Sequence, residues 1–369
     1  MNESSVRTFS TRLLSWFDVH GRSGLPWQQP RTAYRVWLSE IMLQQTQVTA
    51  VIPYFERFVA RFPDLATLAA AEPDEVMRYW AGLGYYARAR NLHAAARQVM
   101  ATHAGRFPDT LAEIAALKGI GRSTAGAILA QAFDQPAAIL DGNVKRVLCR
   151  WAGIEGHPGE TAVSAALWAL AERLVPTTRA ADYVQAQMDL GATLCTARRP
   201  ACERCPIASD CVARITQRTD RLPTRKPRRE RPHREAWLIL AEDAEGRVLL
   251  EQRPPAGIWG GLWCPPLVPL GEDRSEALRT RFCLALAHEE PGEAIEHAFT
   301  HYDLTLHPLR GLALPVASGV AESPPHRWQS AQSLREGELA LPTPIARHFA
   351  NLPPAKSVAR VRRLKRETP

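Results

Sequence analysis

Cys195, Cys202, Cys205 and Cys211 are separated by six, two and five residues, and they are four of only seven cysteines in the chain. Four thiolates this close can fold round one metal centre, because short loops bring the sulfurs together at little entropic cost. Spacing alone leaves zinc and an iron–sulfur cluster open, since both accept four thiolates. Glu40 is the lone acid of Trp37-Leu38-Ser39-Glu40-Ile41-Met42-Leu43-Gln44-Gln45-Thr46, a mainly apolar and amide-bearing run. An acid in such surroundings has a raised pKa and can hold a proton near neutral pH. Asp141 opens Asp-Gly-Asn-Val-Lys-Arg-Val, where it reads as a helix N-cap. Twenty residues earlier, Leu117-Lys118-Gly119-Ile120-Gly121 ends one helix and Arg122-Ser123-Thr124-Ala125 starts another. Gly119 and Gly121 permit a tight hairpin, and the free amides of the new helix face outward as an anion site.

The elements that must position these residues are mostly helical up to residue 211. Val6, Phe9, Leu13 and Trp16/Phe17 fall at helical spacing before Gly21. A similar apolar face runs over residues 34–49 and ends ahead of Pro53. Further helices are expected at 74–80, 86–102, 109–117, 123–133, 143–151, 162–174 and 182–194. After residue 234 the pattern changes to strands at 236–241, 248–250 and 303–309, with Ala244-Glu245-Gly246 as a hairpin turn and one helix at 275–287. The expected organisation is an all-α domain over 1–212, a basic extended linker over 213–234, an α+β domain over 235–352 and a basic tail over 353–369.

Composition narrows the function classes. Apolar residues make up 46% and charged residues 23%, as in ordinary globular chains. A charge-free run from Pro254 to Gly271 contains five prolines and four glycines, so it is no membrane helix. Glu3, Arg7, Arg12 and Asp18 interrupt the N-terminus, which argues against a signal peptide. An odd cysteine count with four clustered suggests a cytoplasmic protein with a metal site. The net charge of +8 is concentrated: residues 214–235 hold nine Arg/Lys against three Asp/Glu, and residues 356–369 hold six against one. Arg-rich segments of this kind suit a polyanion partner.

Taken together, the hairpin, the aspartate twenty residues on and the four cysteines resemble the helix–hairpin–helix DNA glycosylases. Within them, residues 37–48, Gly82-Leu83-Gly84-Tyr85-Tyr86-Ala87-Arg88 and residues 140–147 look like the adenine DNA glycosylases of the MutY type. The resemblance covers residues 5–212 strongly and the C-terminal domain more weakly. It implies that Glu40 protonates adenine and that Asp141 stabilises the sugar cation. It implies DNA contacts at Gln45, Leu83, Tyr85, Arg88, Gly119, Gly121 and Ser123, with Gln45 and Tyr85 filling the gap left by the rotated base. Trp27 and Gln185 look like adenine-pocket residues, and the four cysteines carry a [4Fe–4S] cluster by the same analogy. The implied partner is double-stranded DNA containing A:8-oxoguanine or A:G pairs, bound by a monomer.

Relatives that also break the strand resemble endonuclease III and carry a lysine where this chain has Ser123. Without that amine no Schiff base forms at the usual place, so base removal without efficient strand cleavage is expected. The alternative is a bifunctional, endonuclease III-like enzyme for damaged pyrimidines. The C-terminal domain resembles the Nudix-like recognition domain of the family. Setting Gly271 as the first position of the Nudix motif puts Ala277 where a glutamate belongs, and Ala285 and Leu286 replace an Arg-Glu pair, although Glu289, Glu290 and Gly292 match. The Mg²⁺ site is therefore incomplete. The family instead senses 8-oxoguanine with a Phe-Ser-His loop, and Phe299-Thr300-His301 keeps that pattern and its hydroxyl.

Overall fold

A computed structural model describes residues 3–226, 230–316 and 324–351. The chain divides into two compact units, Met1–Ala70 with Asn91–Arg228, and Ala71–Arg90 with Arg229–Pro369. The basic tail expected at 353–369 lies outside the described residues.

The helices run in chain order as α1 (Glu3–His20), α2 (Ala33–Leu43), α3 (Val48–Arg61), α4 (Leu65–Ala70), α5 (Pro73–Trp80), α6 (Ala87–Thr102), α7 (Leu111–Ala115), α8 (Arg122–Phe133), α9 (Gly142–Ala152), α10 (Thr161–Leu174), α11 (Ala180–Asp189) and α12 (Val212–Ile215). All but α5 and the first turn of α6 belong to the first unit. One core there gathers Phe9 and Leu13 of α1, Val144 and Trp151 of α9, Leu167 and Leu174 of α10 and Tyr183 of α11.

Three departures from the sequence expectation bear on function. The single helix expected over 34–49 is broken: α2 ends at Leu43, Gln45 takes a left-handed φ of 58°, and Pro53 falls inside α3. The expected linker begins as folded chain, because α12 occupies Val212–Ile215 and Leu222 is buried with its carbonyl accepting from Arg150 Nε at 2.8 Å. A buried guanidinium needs oxygen acceptors, and the chain leaving the cysteine loop supplies one. Finally, α5 and the following loop are grouped with the second unit, although they lie within the sequence expected to be one α-domain.

The second unit is built on β1 (His233–Glu242), β2 (Arg247–Gln252), β3 (Trp263–Cys264), β4 (Leu267–Pro269), β5 (Leu284–Pro291), β6 (Ile295–Ala298), β7 (Asp303–Pro315) and β8 (His326–Ser330). The mixed sheet has the order β3-β2-β1-β7-β5, with β4 on β1, β6 on β7 and β8 on β2. Strands β1 and β7 pair in parallel from His233 opposite Asp303 to Glu242 opposite Leu312. Helices α13 (Arg274–Phe282), α14 (Ala331–Glu336) and α15 (Thr343–Asn351) accompany it. Ile239, Leu249, Val268, Leu278 and Leu309 form its core.

The helix expected over 275–287 stops at Phe282, where Cys283 caps it in the left-handed region (φ 56°). Leu284 onward pairs antiparallel with β7. Glu289 and Glu290 therefore sit on β5 and not on a helix, and Glu289 pairs with Arg274 at 2.8 Å. The residues that matched the Nudix motif do not form its metal-binding helix.

Candidate active site

Glu40 lies near the end of α2 and is partly buried. Gln131 of α8 donates from Nε2 to Glu40 Oε1 at 2.7 Å. Burial is the main force pushing Glu40 up, the Asp141 charge adds to it, and the Gln131 bond opposes it. The net result is a carboxyl raised from its ordinary 4.5 to about 7. Such a group carries a proton part of the time at neutral pH.

Asp141 caps α9. Its Oδ1 accepts from the Val144 amide at 2.7 Å and its Oδ2 from Asn143 Nδ2 at 3.5 Å. Burial raises its pKa, while the two amide bonds and the Arg146 charge hold it down. The residue that approaches it through the chain is Leu140, whose amide donates to Ser123 Oγ at 2.9 Å. Ser123 thus ties the α8 start to the segment that delivers Asp141. In the hairpin, Gly119 has φ 82° and a Cβ there would stand 2.7 Å from Asn91 Cβ, so only glycine fits. At Gly121, the α8 N-cap, nothing lies within 4 Å, which leaves the helix start open.

Gln45 is exposed on the α2–α3 break with its backbone in a conformation L-residues seldom adopt. In the second unit, Tyr85 has φ 50° and is 44% exposed. Strain at two exposed polar side chains, one per unit, marks both as functional candidates. Leu83 and Arg88 are buried instead. Arg88 donates to the Gly84 carbonyl at 3.1 Å, and its guanidinium lies over the rings of Trp80 and Tyr85 at 5.5 and 5.3 Å. Burial lowers its pKa to about 10. It shapes the loop that presents Tyr85.

Trp27 is buried edge-on to Phe55, with centroids 5.4 Å apart. Gln185 of α11 is also buried, and its amide donates to Asp189 Oδ1 at 2.7 Å. Asp189, fully buried, also accepts from Arg22 N and Nε at 2.7 and 2.8 Å. Sequence reading missed Arg22 and Asp189. The signal was available only in part, as an arginine on the loop before Trp27 and an acid four residues after Gln185.

The cysteine loop follows a π-helical turn at Leu190–Leu194. Cys195, Cys202, Cys205 and Cys211 line one pocket with Val147, Leu190 and Leu194. Burial pushes the Cys205 thiol up to about 12 and raises Cys202 and Cys211. At these three positions burial disfavours the thiolate, the form in which cysteine binds metal. Arg146 and Arg150, both on α9, bind this loop: Arg146 Nε reaches Cys195 O at 2.7 Å, and Arg150 Nη1 reaches Cys195 Sγ at 3.4 Å and Thr196 O at 2.7 Å. The helix capped by Asp141 is thus fastened to the cysteine loop further along its length.

In the second unit, Phe299 follows directly on β6 and its amide donates to Tyr302 O at 2.9 Å, closing a tight turn. Its ring meets His297, Tyr302 and Trp259 at 4.5, 4.9 and 5.5 Å. Thr300 and His301 are exposed at the tip. Thr300 Oγ1 lies 3.2 Å from the Tyr85 hydroxyl.

Residues 38–173 match the HhH-GPD superfamily of base excision DNA repair proteins, residues 195–211 the iron–sulfur binding domain of endonuclease III, and residues 236–351 the NUDIX domain. An adenine DNA glycosylase of Buchnera aphidicola (from Acyrthosiphon pisum) is 34% identical, covering 93% of this chain and 97% of the relative. The adenine DNA glycosylase of Mus musculus is 39% identical, covering 88% of this chain and 74% of the relative. Among solved structures, a thermostable thymine-DNA glycosylase is similar at a TM-score of 0.53 and 28% identity, over 58% of this chain and 98% of the other. A non-covalent endonuclease III–DNA complex shares the fold at a TM-score of 0.51 and 19% identity, over 59% of this chain and 98% of the other. With an acid held near neutrality beside a capping aspartate, a glycine hairpin and relatives of this identity over most of its length, the chain belongs to the adenine DNA glycosylases.

Proposed function

We propose that this chain hydrolyses the N-glycosidic bond of adenine paired with 8-oxoguanine or guanine in duplex DNA. The observation that carries the reading is Glu40, raised to about 7 within reach of the Asp141 charge. Breaking an N-glycosidic bond develops positive charge on the sugar and negative charge on the departing base. Glu40 protonates the base as it leaves, which contributes about 10²–10⁴-fold. Val144 N and Asn143 Nδ2 bond the Asp141 oxygens and favour its charged form against the burial that raises its pKa, and that carboxylate supports the sugar cation until water adds. Two acids in different surroundings take the two roles.

The adenine must first leave the stack. Gln45 and Tyr85 push into the duplex, and their strained backbones hold the side chains out to do so. Trp27 and Gln185 line the adenine pocket, with Asp189 and Arg22 fixing the Gln185 amide. Gly119, Gly121 and the open start of α8 receive a backbone phosphate. Phe299, Thr300 and His301 read the base opposite adenine. Ser123, which accepts from Leu140 N, supplies no amine for a Schiff base, so the enzyme removes the base without cutting the strand.

The four cysteines hold a [4Fe–4S] cluster. They line one largely apolar pocket, and the match of residues 195–211 to an iron–sulfur binding domain supports a cluster there. When bound, the cluster supplies closure of the loop that Arg146 and Arg150 fasten to α9. No helix among the described residues is long and apolar enough to cross a membrane. The enzyme works as a cytoplasmic monomer on duplex DNA. A glycosylase assay on duplexes differing only in the lesion pair, developed with and without alkali, tests the reading. Adenine release opposite 8-oxoguanine, revealed as strand breaks only after alkali, is the expected result.

A further inference from the structure

We propose that Arg90 is a positioning residue for recognition of the base opposite adenine, acting by locking the turn at 254–262. This deepens the reading in which Thr300 and Tyr85 contact that base and its gap, and it rests on that reading.

Arg90 belongs to the same unit as this turn. Its Nη1 donates to the Gly260 carbonyl and its Nη2 to the Pro255 carbonyl at 2.8 Å. One planar guanidinium therefore pins two points of a single turn, a grip that a lysine ammonium cannot copy. Among the described residues no carboxylate pairs with Arg90, so its charge is spent on backbone oxygens. The turn it pins is strained. Trp259 has φ 55°, a costly conformation for a bulky residue that persists only where neighbours over-determine it. A Cβ at Gly260 would stand 2.4 Å from the Pro255 carbonyl, so the turn is drawn tight there.

The strained Trp259 is also in contact with the reader loop. Its ring packs 5.5 Å from Phe299 and 5.9 Å from His297. Phe299 leads directly into Thr300, whose hydroxyl meets that of Tyr85 at 3.2 Å. Tyr85 lies five residues before Arg90 in the chain. The contacts therefore close a ring from Arg90 through the turn, Trp259, Phe299 and Thr300 to Tyr85 and back. Release of the turn frees Trp259 to relax, and Phe299, Thr300 and Tyr85 lose their common register.

The test measures binding of the full-length protein to duplexes carrying A:8-oxoguanine, A:G or only matched pairs, at several salt concentrations. The variants are Arg90→Ala, Arg90→Lys, Thr300→Ala and the double variant Arg90→Ala/Thr300→Ala. Arg90→Ala should reduce the preference for 8-oxoguanine over guanine about tenfold, a coupling typical of residues joined in one network, with an unchanged salt slope. Arg90→Lys should lose about threefold, since it keeps the charge but not the two-point grip. This variant also reads the effect should Arg90→Ala fail to fold. In the double variant, Arg90→Ala should add almost nothing to the loss caused by Thr300→Ala. Equal losses on all three duplexes with a shallower salt slope would make Arg90 a phosphate contact and overturn the proposal. Full preference in Arg90→Lys would show that charge alone matters and would overturn it too. Wild-type preference in Arg90→Ala alongside a defective Thr300→Ala would refute the positioning role while the reader loop stands. Wild-type preference in Thr300→Ala would remove the reader assignment itself, and the proposal with it.

Discussion

Replacing Glu40 with Gln removes one titrating proton and changes little else, because a Gln carbonyl still accepts from Gln131 Nε2 where Glu40 Oε1 does now at 2.7 Å. The carboxyl is raised from 4.5 to about 7, chiefly by burial. Its folded value exceeds its unfolded value, so the native state binds the proton more tightly than the unfolded chain. That preference favours folding fully below pH 4.5 and is lost as pH rises through about 7. At pH 8 the charged carboxylate therefore costs the fold at most about 3 kcal/mol, and the solvent that still reaches it brings this nearer 2. Glu40→Gln should accordingly be more stable than wild type by about 2 kcal/mol at pH 8, with the gain fading towards pH 5. The same change should slow adenine release by about 10²–10⁴-fold or more while duplex binding persists. Urea unfolding at pH 5 and pH 8, paired with single-turnover release, reads both quantities. An equally active variant, or one no more stable at pH 8 than at pH 5, would refute the assignment of Glu40 as a strained general acid. Such an exchange of stability for activity is common at sites built to perturb an ionisable group.

Four further outcomes follow from the geometry. The single-turnover rate of the wild type should fall as pH rises through about 7, when Glu40 loses its proton, and should also fall in acid, where Asp141 is protonated at a pH above its ordinary 3.8; a rate flat from pH 6 to 9 would contradict this. Ser123→Ala removes the acceptor of the Leu140 amide and should cost about 1–3 kcal/mol in stability together with a slower chemical step, checked by thermal unfolding and single-turnover kinetics. Arg150→Met leaves the carbonyls of Thr196, Ala197 and Leu222 without their donor and should lower both iron content and folded yield; a variant with full iron would show that the cysteine loop stands without it. Anaerobically purified protein should be brown with iron near four per chain, and Cys202→Ser should reduce it, whereas stoichiometric zinc without iron would count against the cluster.

The local geometry of the candidate site was legible in the sequence where its signals are local. Asp141 caps the helix its position suggested, and Gly119 takes the positive φ its place in the hairpin implied. The acid in an amide-rich helix has the raised pKa its neighbours foretold. What failed was non-local. The break at Gln45 interrupts an unbroken apolar period, and the turn is tied to α8 by a contact no local pattern shows, Gln44 Nε2 donating to Thr124 Oγ1 at 3.4 Å. Residues 284–287 continue a helical pattern, yet β7 offers them a strand partner that no window of sequence reveals. The grouping of residues 71–90 with the second unit rests on long-range contacts such as Asp74 with Trp263 Nε1 at 2.9 Å and Gln252 Nε2 at 3.1 Å. Arg22 and Asp189 were missed because an ion pair between residues 167 apart leaves no periodic trace.

Incubating the protein with four otherwise identical end-labelled duplexes, carrying A:8-oxoguanine, A:G, A:T or a thymine glycol:A pair, and developing each with and without alkali, shows which base the enzyme removes and whether it cuts the strand. Breaks are expected at the adenine of the first two duplexes after alkali alone, and none in the others. Breaks at thymine glycol, or at any site before alkali treatment, would contradict this expectation and would favour a bifunctional enzyme for damaged pyrimidines.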